Sequence, residues 1–301
     1  MTPALTRRRF LAISASAALA GPAGAAATAD WQGVIMGAEA RITISGPAQQ
    51  SRPALRAALS RMRQIEALFS LYDPASDLSR LNASGALTGP APDFLALMRL
   101  SDRVHRLTEG RFDPTVQPLW LALAQGADPA PARHAIGWRR VTISPAAIRL
   151  APGQALTLNG IAQGFAADAV RRVLARHGLR RALVDMGEVA ALGGPWRMGI
   201  ADPAQGLVLE RRLDGNAIAT SSPGAMALGA GGHILNPLGE APPLWSTISV
   251  EAHSAAMADG LSTALCFTDR DGLARILRRA GPGVTRITAM AANGDIFTVK
   301  A

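Results

Sequence analysis

The sequence predicts an α+β fold, mixed sheets flanked by helices, on three observations. Helical periodicity is confined to a few segments, short β-rich runs crowd the middle and the end, and turn residues separate them without an internal repeat. Hydrophobic residues make up 49% of the 301 and charged residues 18%, the balance of a chain that buries a core.

The elements follow in order. Residues 1–27 read as an export leader: a twin-arginine box, Thr6-Arg7-Arg8-Arg9-Phe10-Leu11, a short apolar stretch, then small residues offering cleavage near Ala25 or Ala27. That stretch is too short to span a bilayer comfortably. The expected address is the bacterial periplasm, and residues 28–301 are expected to form a single domain. "VIMGAEARITISG" alternates as a strand entering at Met36-Gly37. "PALRAALSRMRQIEALFSLY" sets Leu55, Leu59, Met62, Ile65 and Phe69 on one helical face. After the loop "DPASDLSRLN" comes a second amphipathic helix, "FLALMRLSDRVHRLTEG", closed by Gly110. "QGADPAPARHAIGW", rich in Ala, Pro and Gly, reads as a flexible stretch or insertion. "ALTLNGIAQGFAADAVRRVLARHG" reads as strand, tight turn and helix, followed by strands at "RALVDMG", "WRMGIAD", "LVLERRL" and "AIATSS". A glycine-rich loop, "GAMALGAGGHILNPLG", leads to the strand "STISVEA", a helix over 253–267, another at "GLARILRRAG", and two last strands.

Composition narrows the chemistry. The formal charge is +9, but three of those charges belong to the leader and the only lysine is Lys300. Arginine is scattered rather than clustered, and 4% aromatics offer few stacking platforms, which argues against nucleic acid and leaves anionic small molecules as partners. The single Cys266 cannot form an internal disulfide and sits in an apolar helical pattern. C-x-x-C, H-E-x-x-H, Walker A and G-x-S-x-G motifs are absent, which removes most support for zinc enzymes, P-loop NTPases and serine hydrolases.

One helix asks a question. "HSAAMADGLSTALC" is apolar apart from Asp259 and Thr263, whose spacing puts them on one face a turn apart. Asp259 as a helix cap or an Arg partner, with Thr263 bonding back to its carbonyl, is one reading. A hard-metal site of carboxylate, hydroxyl and carbonyl oxygens is the other. Further polar groups recur at glycine-rich turns: Tyr72, Arg111-Phe112-Asp113, Asn159-Gly160 and Gly232-His233.

In order and wording, "MGAEA", "FSLYDPASDLSRLN", "EGRFDPTVQPLW", "LNGIAQGFAADAV", "ALVDMGEVAALGG", "IATSSPG", "HILNPLG" and "AHSAAMADGLSTAL" together resemble the ApbE family of FAD:protein FMN transferases, from about Met36 to Phe267. The resemblance implies a T-fold-like mixed α/β architecture, FAD as substrate and Mg²⁺ as metal. The implied reaction moves FMN from FAD to a Ser or Thr hydroxyl of an acceptor, a membrane-associated respiratory redox protein, and releases AMP. It implies Mg²⁺ ligation by Asp259, Thr263 and the Gly160 carbonyl. Flavin-nucleotide contacts are implied for Met36, Tyr72, Arg111, Phe112, Asp113, Thr157, Gln163, His233 and Ile234. His233 matches the family's histidine and is the candidate proton acceptor, or else orients FAD by a hydrogen bond. Thr157 and Gln163 depart from the family's charged residues, and Asn236 stands where Asp is usual. An FAD pyrophosphatase, or a flavin-binding maturation factor without catalysis, are the alternative functions. The remaining histidines, His105, His134, His177 and His253, carry no motif and read as helix-surface or loop residues.

Overall fold

The computed structural model describes residues 16–18 and 29–301. The twin-arginine box and the proposed cleavage region lie outside the described residues.

Eight strands form the main sheet: β1 (Ala29–Ile35), β2 (Ala38–Ser45), β3 (Arg181–Asp185), β4 (Val189–Leu192), β7 (Ala217–Ser221), β8 (Thr247–Ala252), β9 (Val284–Met290) and β10 (Ile296–Lys300). Between β4 and β7 runs a hairpin of β5 (Trp196–Asp202) and β6 (Gly206–Leu213), and residues 16–18 pair antiparallel with β5. The main order is β10-β9-β8-β7-β4-β3-β2-β1, so the β1–β2 and β9–β10 hairpins close opposite ends of one sheet. The α+β expectation holds, but every described strand pair is antiparallel where a mixed sheet was expected. The reason is local. β1–β2, β3–β4 and β9–β10 are tight hairpins, and the longer excursions return each next strand reversed against its neighbour.

The largest excursion, between β2 and β3, carries six helices: α1 (Ala48–Phe69), α2 (Asp77–Ser84), α3 (Pro92–Leu107), α4 (Gln117–Gln125), α5 (Pro129–Ala135) and α6 (Ala162–Arg176). After β8 come α7 (Ala255–Leu265) and α8 (Arg270–Ala280). α6 and α7 pack against each other and on the sheet, with α1 against α6 and α3 against α7. The inward residues of β2 alternate as its period demands, Ala38, Ala40, Ile42 and Ile44 being buried. Ala40, Ile42 and Ile44 belong with Met62, Ile65, Phe69, Phe94 and Leu261 to one contiguous core. Each large side chain of this kind contributes about 1.5–3 kcal/mol on burial. On the opposite face Leu183, Val189, Ala191, Met198, Ile200, Leu213 and Ile218 form a second cluster with the β5–β6 hairpin. Covered on both sides, β7 and β8 are buried along their whole length.

Two local expectations are corrected. Met36 and Gly37 do not begin a strand; they are the two-residue turn between β1 and β2, with φ of 51° and 81°. Two left-handed residues give a turn whose twist matches that of the strands, and Gly supplies one of them without strain. Within 125–138, α5 and a buried Trp138 replace the expected flexible stretch. Asp128 caps α5, and the Trp138 amide donates to Asp113 at 3.0 Å, so the Pro-rich sequence is anchored at both ends.

Candidate active site

The α6–α7 crossing builds one wall. A Cβ on Gly164 would stand 2.4 Å from the Ala255 carbonyl oxygen, so the helices touch backbone to backbone there. Each helix then lends the other a carboxylate. Asp168 of α6 accepts from the Ser254 hydroxyl at 2.6 Å and the Ala256 amide at 3.2 Å, at the start of α7. Asp259 of α7 accepts from the Gly164 amide at 3.1 Å, in the first turn of α6. Anions at these positions meet the unsatisfied amides of a helix N-terminus.

Asp259 is 2% exposed. Burial pushes its carboxyl up to about 8, with the Gly164 amide pulling the other way. Neither simpler reading of this helix survives. Its cap is Ser254, and no Arg pairs with Asp259 among the described residues. The hydroxyl that returns to the Asp259 carbonyl, at 3.0 Å, belongs to Ser262, which also meets Ser221 of β7 at 2.8 Å. Thr263 is left facing the turn at Gly160, where a Cβ would lie 2.9 Å from its Oγ1.

These residues open onto a cleft of about 430 Å³. Of the predicted site residues it is lined by Tyr72, Arg111, Phe112, Asp113, Thr157, Gly160, Gln163, His233, Ile234, Asp259 and Thr263. Met36 is not on the wall. Its amide donates to Glu66 at 2.8 Å, while its neighbours Ala38 and Glu39 face the cleft. Tyr72 sits over the same turn, since a Cβ on Gly37 would be 2.9 Å from its ring, and burial pushes its hydroxyl up to about 12.

The 111–115 turn is held by its own side chains. Asp113 accepts from the Thr115 amide at 2.8 Å and the Thr115 hydroxyl at 2.5 Å, besides Trp138. Its carboxylate therefore shapes the turn. His105 is more than a surface residue: its Nδ1 lies 2.8 Å from the Phe112 carbonyl and braces the turn from α3. The Arg111 guanidinium donates to the carbonyls of Thr108 and Phe267, at 3.3 and 3.4 Å, rather than reaching across the cleft. Opposite, His233 follows Gly232, where a Cβ would be 2.2 Å from the Pro223 carbonyl oxygen. Burial holds the His233 ring below its ordinary pKa, with the Pro223 and Met226 backbone pulling partly back. Its Nδ1 is buried with no hydrogen bond among the described residues.

Several cleft residues were missed by sequence reasoning: Gln117, Trp120 and Leu121 on one face of α4, Thr220 and Ser221 at the end of β7, and Glu188 ahead of β4. The i, i+3, i+4 spacing of the first three was a readable signal. β4 itself passed unnoticed, and Glu188 with it, because "EVAAL" after a glycine turn carries no alternation. Glu188 is 8% exposed, its carboxyl raised well above the usual range by burial and by the nearby Asp259.

The donors fit a hard cation. Asp259, Thr263 and the Gly160 turn meet at one place and offer only oxygen, the chemistry of Mg²⁺ rather than of zinc. Among the described residues no three His, Cys, Asp or Glu side chains are gathered to hold a metal, so a cation here would depend on hydroxyl and carbonyl oxygens and on its ligand.

Fold and cleft together define an α+β protein whose candidate site is a largely apolar cleft with a cluster of oxygen donors at one wall, between a two-helix crossing and the ends of an antiparallel sheet. The model of the ApbE family matches residues 36–287, and the chain belongs to that family. Its relatives include the FAD:protein FMN transferase of Klebsiella pneumoniae, 26% identical over 89% of this chain and 86% of that protein. That of Chlamydia muridarum is 28% identical over 68% and 73%. Among solved structures, the flavin transferase ApbE of Vibrio cholerae superposes with a TM-score of 0.77 at 22% identity, covering 91% of this chain and 96% of that one. The ApbE protein of Thermotoga maritima gives 0.79 at 23%, over 89% and 96%.

Proposed function

We propose that the protein is a Mg²⁺-dependent FAD:protein FMN transferase, moving FMN from FAD to a Ser or Thr hydroxyl of a partner protein and releasing AMP. The observation that carries this reading is the meeting of Gly160, Asp259 and Thr263 with His233 in one cleft of an ApbE-family chain. The activity printed in the names of its relatives supports it.

Asp259, Thr263 and the Gly160 carbonyl would hold the cation, which when bound would neutralise the pyrophosphate and the charge growing on the reacting phosphoryl group. Tyr72, Phe112 and Trp120 line the cleft with aromatic faces that would suit the flavin ring, and Thr157, Gln163 and Ile234 line the same cleft, where the rest of the nucleotide would run. His233, kept neutral by burial, takes the proton of the acceptor hydroxyl. The new bond joins that oxygen to the FMN phosphorus, and the bond to the AMP oxygen breaks. AMP leaves with the electron pair, and the proton on His233 passes to solvent. Arg111 and Asp113 shape the floor from their backbone-bonded positions.

Intact-mass analysis of an acceptor fragment incubated with the protein, FAD and Mg²⁺ tests the reading. The expected result is one FMN-sized adduct, lost with EDTA, with AMP formed in step. AMP and free FMN without an adduct would replace it with an FAD pyrophosphatase; bound FAD with neither product would leave a flavin carrier.

The leader supports a place of action. The twin-arginine box would export the folded protein to the periplasm, where a membrane-associated redox protein is the acceptor. Replacing Arg7 and Arg8 by Lys is expected to retain the protein in the cytoplasm; unchanged periplasmic recovery would sink the assignment.

A further inference from the structure

Glu188 takes no part in the chemistry above, yet it is placed as few surface-derived carboxylates are. It follows the Asp185–Gly187 turn, where the Gly187 amide donates to Asp185 at 3.0 Å, and it lines the cleft beside Thr220 and Asp259. The Thr220 backbone hydrogen-bonds its carboxylate. Its Oε2 is buried with no hydrogen-bond partner among the described residues. A buried oxygen of this kind carries a desolvation cost with no return, and a second carboxylate nearby adds repulsion.

Beyond the Thr220 backbone, the described residues of the cleft offer no side-chain cation to offset that charge. Its one Arg, Arg111, is spent on the Thr108 and Phe267 carbonyls and on Glu109, 3.5 Å away. Its one His, His233, is buried in a setting that disfavours the charged ring. Two neighbouring buried carboxylates without a side-chain cation are met either by protons or by a mobile cation, and the cation is what restores the charge of both. A divalent ion matches their summed charge, which Asp259 alone would leave half balanced.

We propose that Glu188 is the second carboxylate of the divalent-cation site, facing Asp259 across it and contacting the ion or one of its waters through Oε2. This deepens the metal-dependent reading above and rests on it. Only one oxygen of Glu188 is taken by the protein, so the other is preorganised for a cation, and Thr220 fixes its direction as an outer-shell group does.

The test is Mn²⁺ binding to the full chain, followed by the paramagnetic resonance signal of free Mn²⁺, without and with FAD. Wild type is expected to bind; Glu188→Gln, equal in size and without the charge, is expected to bind about 10–100-fold more weakly. Glu188→Asp, which keeps the charge on a shorter stem, should fall between and serves if the Gln variant does not melt cooperatively in EDTA. Wild-type affinity in Glu188→Gln, or in Glu188→Asp where that variant stands in, overturns the proposal and leaves the cation reading intact. Absence of Mn²⁺ binding by wild type, with and without FAD, overturns the reading beneath it.

Discussion

At the scale of single residues the site is a set of buried groups whose charge is decided by what enters. Asp259→Ala removes the proposed ligand and the partner of the Gly164 amide together. It is expected to lower Mg²⁺-dependent transfer at least ~100-fold, since even outer-shell changes at metal sites cost 10–100-fold; transfer at the wild-type rate would show the ligand lies elsewhere. The same carboxylate sets a pH dependence of stability in the metal-free protein. Its pKa is raised from 3.8 to about 8, so the native state binds the extra proton between those values. Its contribution is present in full below about pH 4 and is lost as pH rises through about 8. Thermal melts in EDTA are expected to fall across that window more steeply for wild type than for Asp259→Asn. Mg²⁺ should flatten the wild-type curve by displacing the proton; parallel curves would contradict this. His233 has the opposite sign. Its pKa is depressed below 6.5, so the neutral ring, and transfer by it, is expected to persist at pH 6.5 and fail only lower. An acid limb of kcat/KM that survives His233→Ala would assign that limb to another group.

At the scale of elements, the α6–α7 crossing is the part on which geometry depends. Gly164→Ala would force a Cβ to 2.4 Å from the Ala255 carbonyl oxygen, a backbone atom that cannot swing aside. The expected cost is about 1–3 kcal/mol by denaturant unfolding, as for other overpacked sites, with weakened cation binding because Asp259 loses its register. A variant as stable as wild type would show that the helices part freely. This crossing was half legible in the sequence. "LNGIAQG" and Asp259 were both singled out, but Asp168, which ties α6 to the start of α7, looked like any helical acid. Its role depends on a partner 86 residues away, and no local pattern encodes that. Likewise the 16-residue α3 was readable from its apolar face, whereas the bracing role of His105 needed the folded position of Phe112. Met36 went the other way: its motif was noticed, but two left-handed residues make it a turn and take it off the wall.

At the scale of the molecule, the predicted elements recur almost throughout, because amphipathic periods and glycine-marked turns are local. Pairing is not local. The sheet joins β2 to β3 across six helices, and that step decided both the antiparallel order and the place of Glu188. Removing residues 1–27 is expected to leave melting temperature and transfer unchanged, since among the described residues it subtracts a three-residue edge pairing on β5. A fall of more than about 5 °C, on the order of 1–2 kcal/mol for a chain of this size, would make that segment part of the fold.

The distribution of the cleft along the chain has a temporal meaning. Tyr72 is made early in synthesis, Glu188 past the midpoint, and Asp259 and Thr263 within the last 43 residues of 301. A ribosome-bound chain that has emerged as far as β8 owns the aromatic faces but lacks the oxygens of α7. The cleft is therefore complete only once α7 has docked against α6 and the sheet, and an occupied cleft reports that this late helix has found its place.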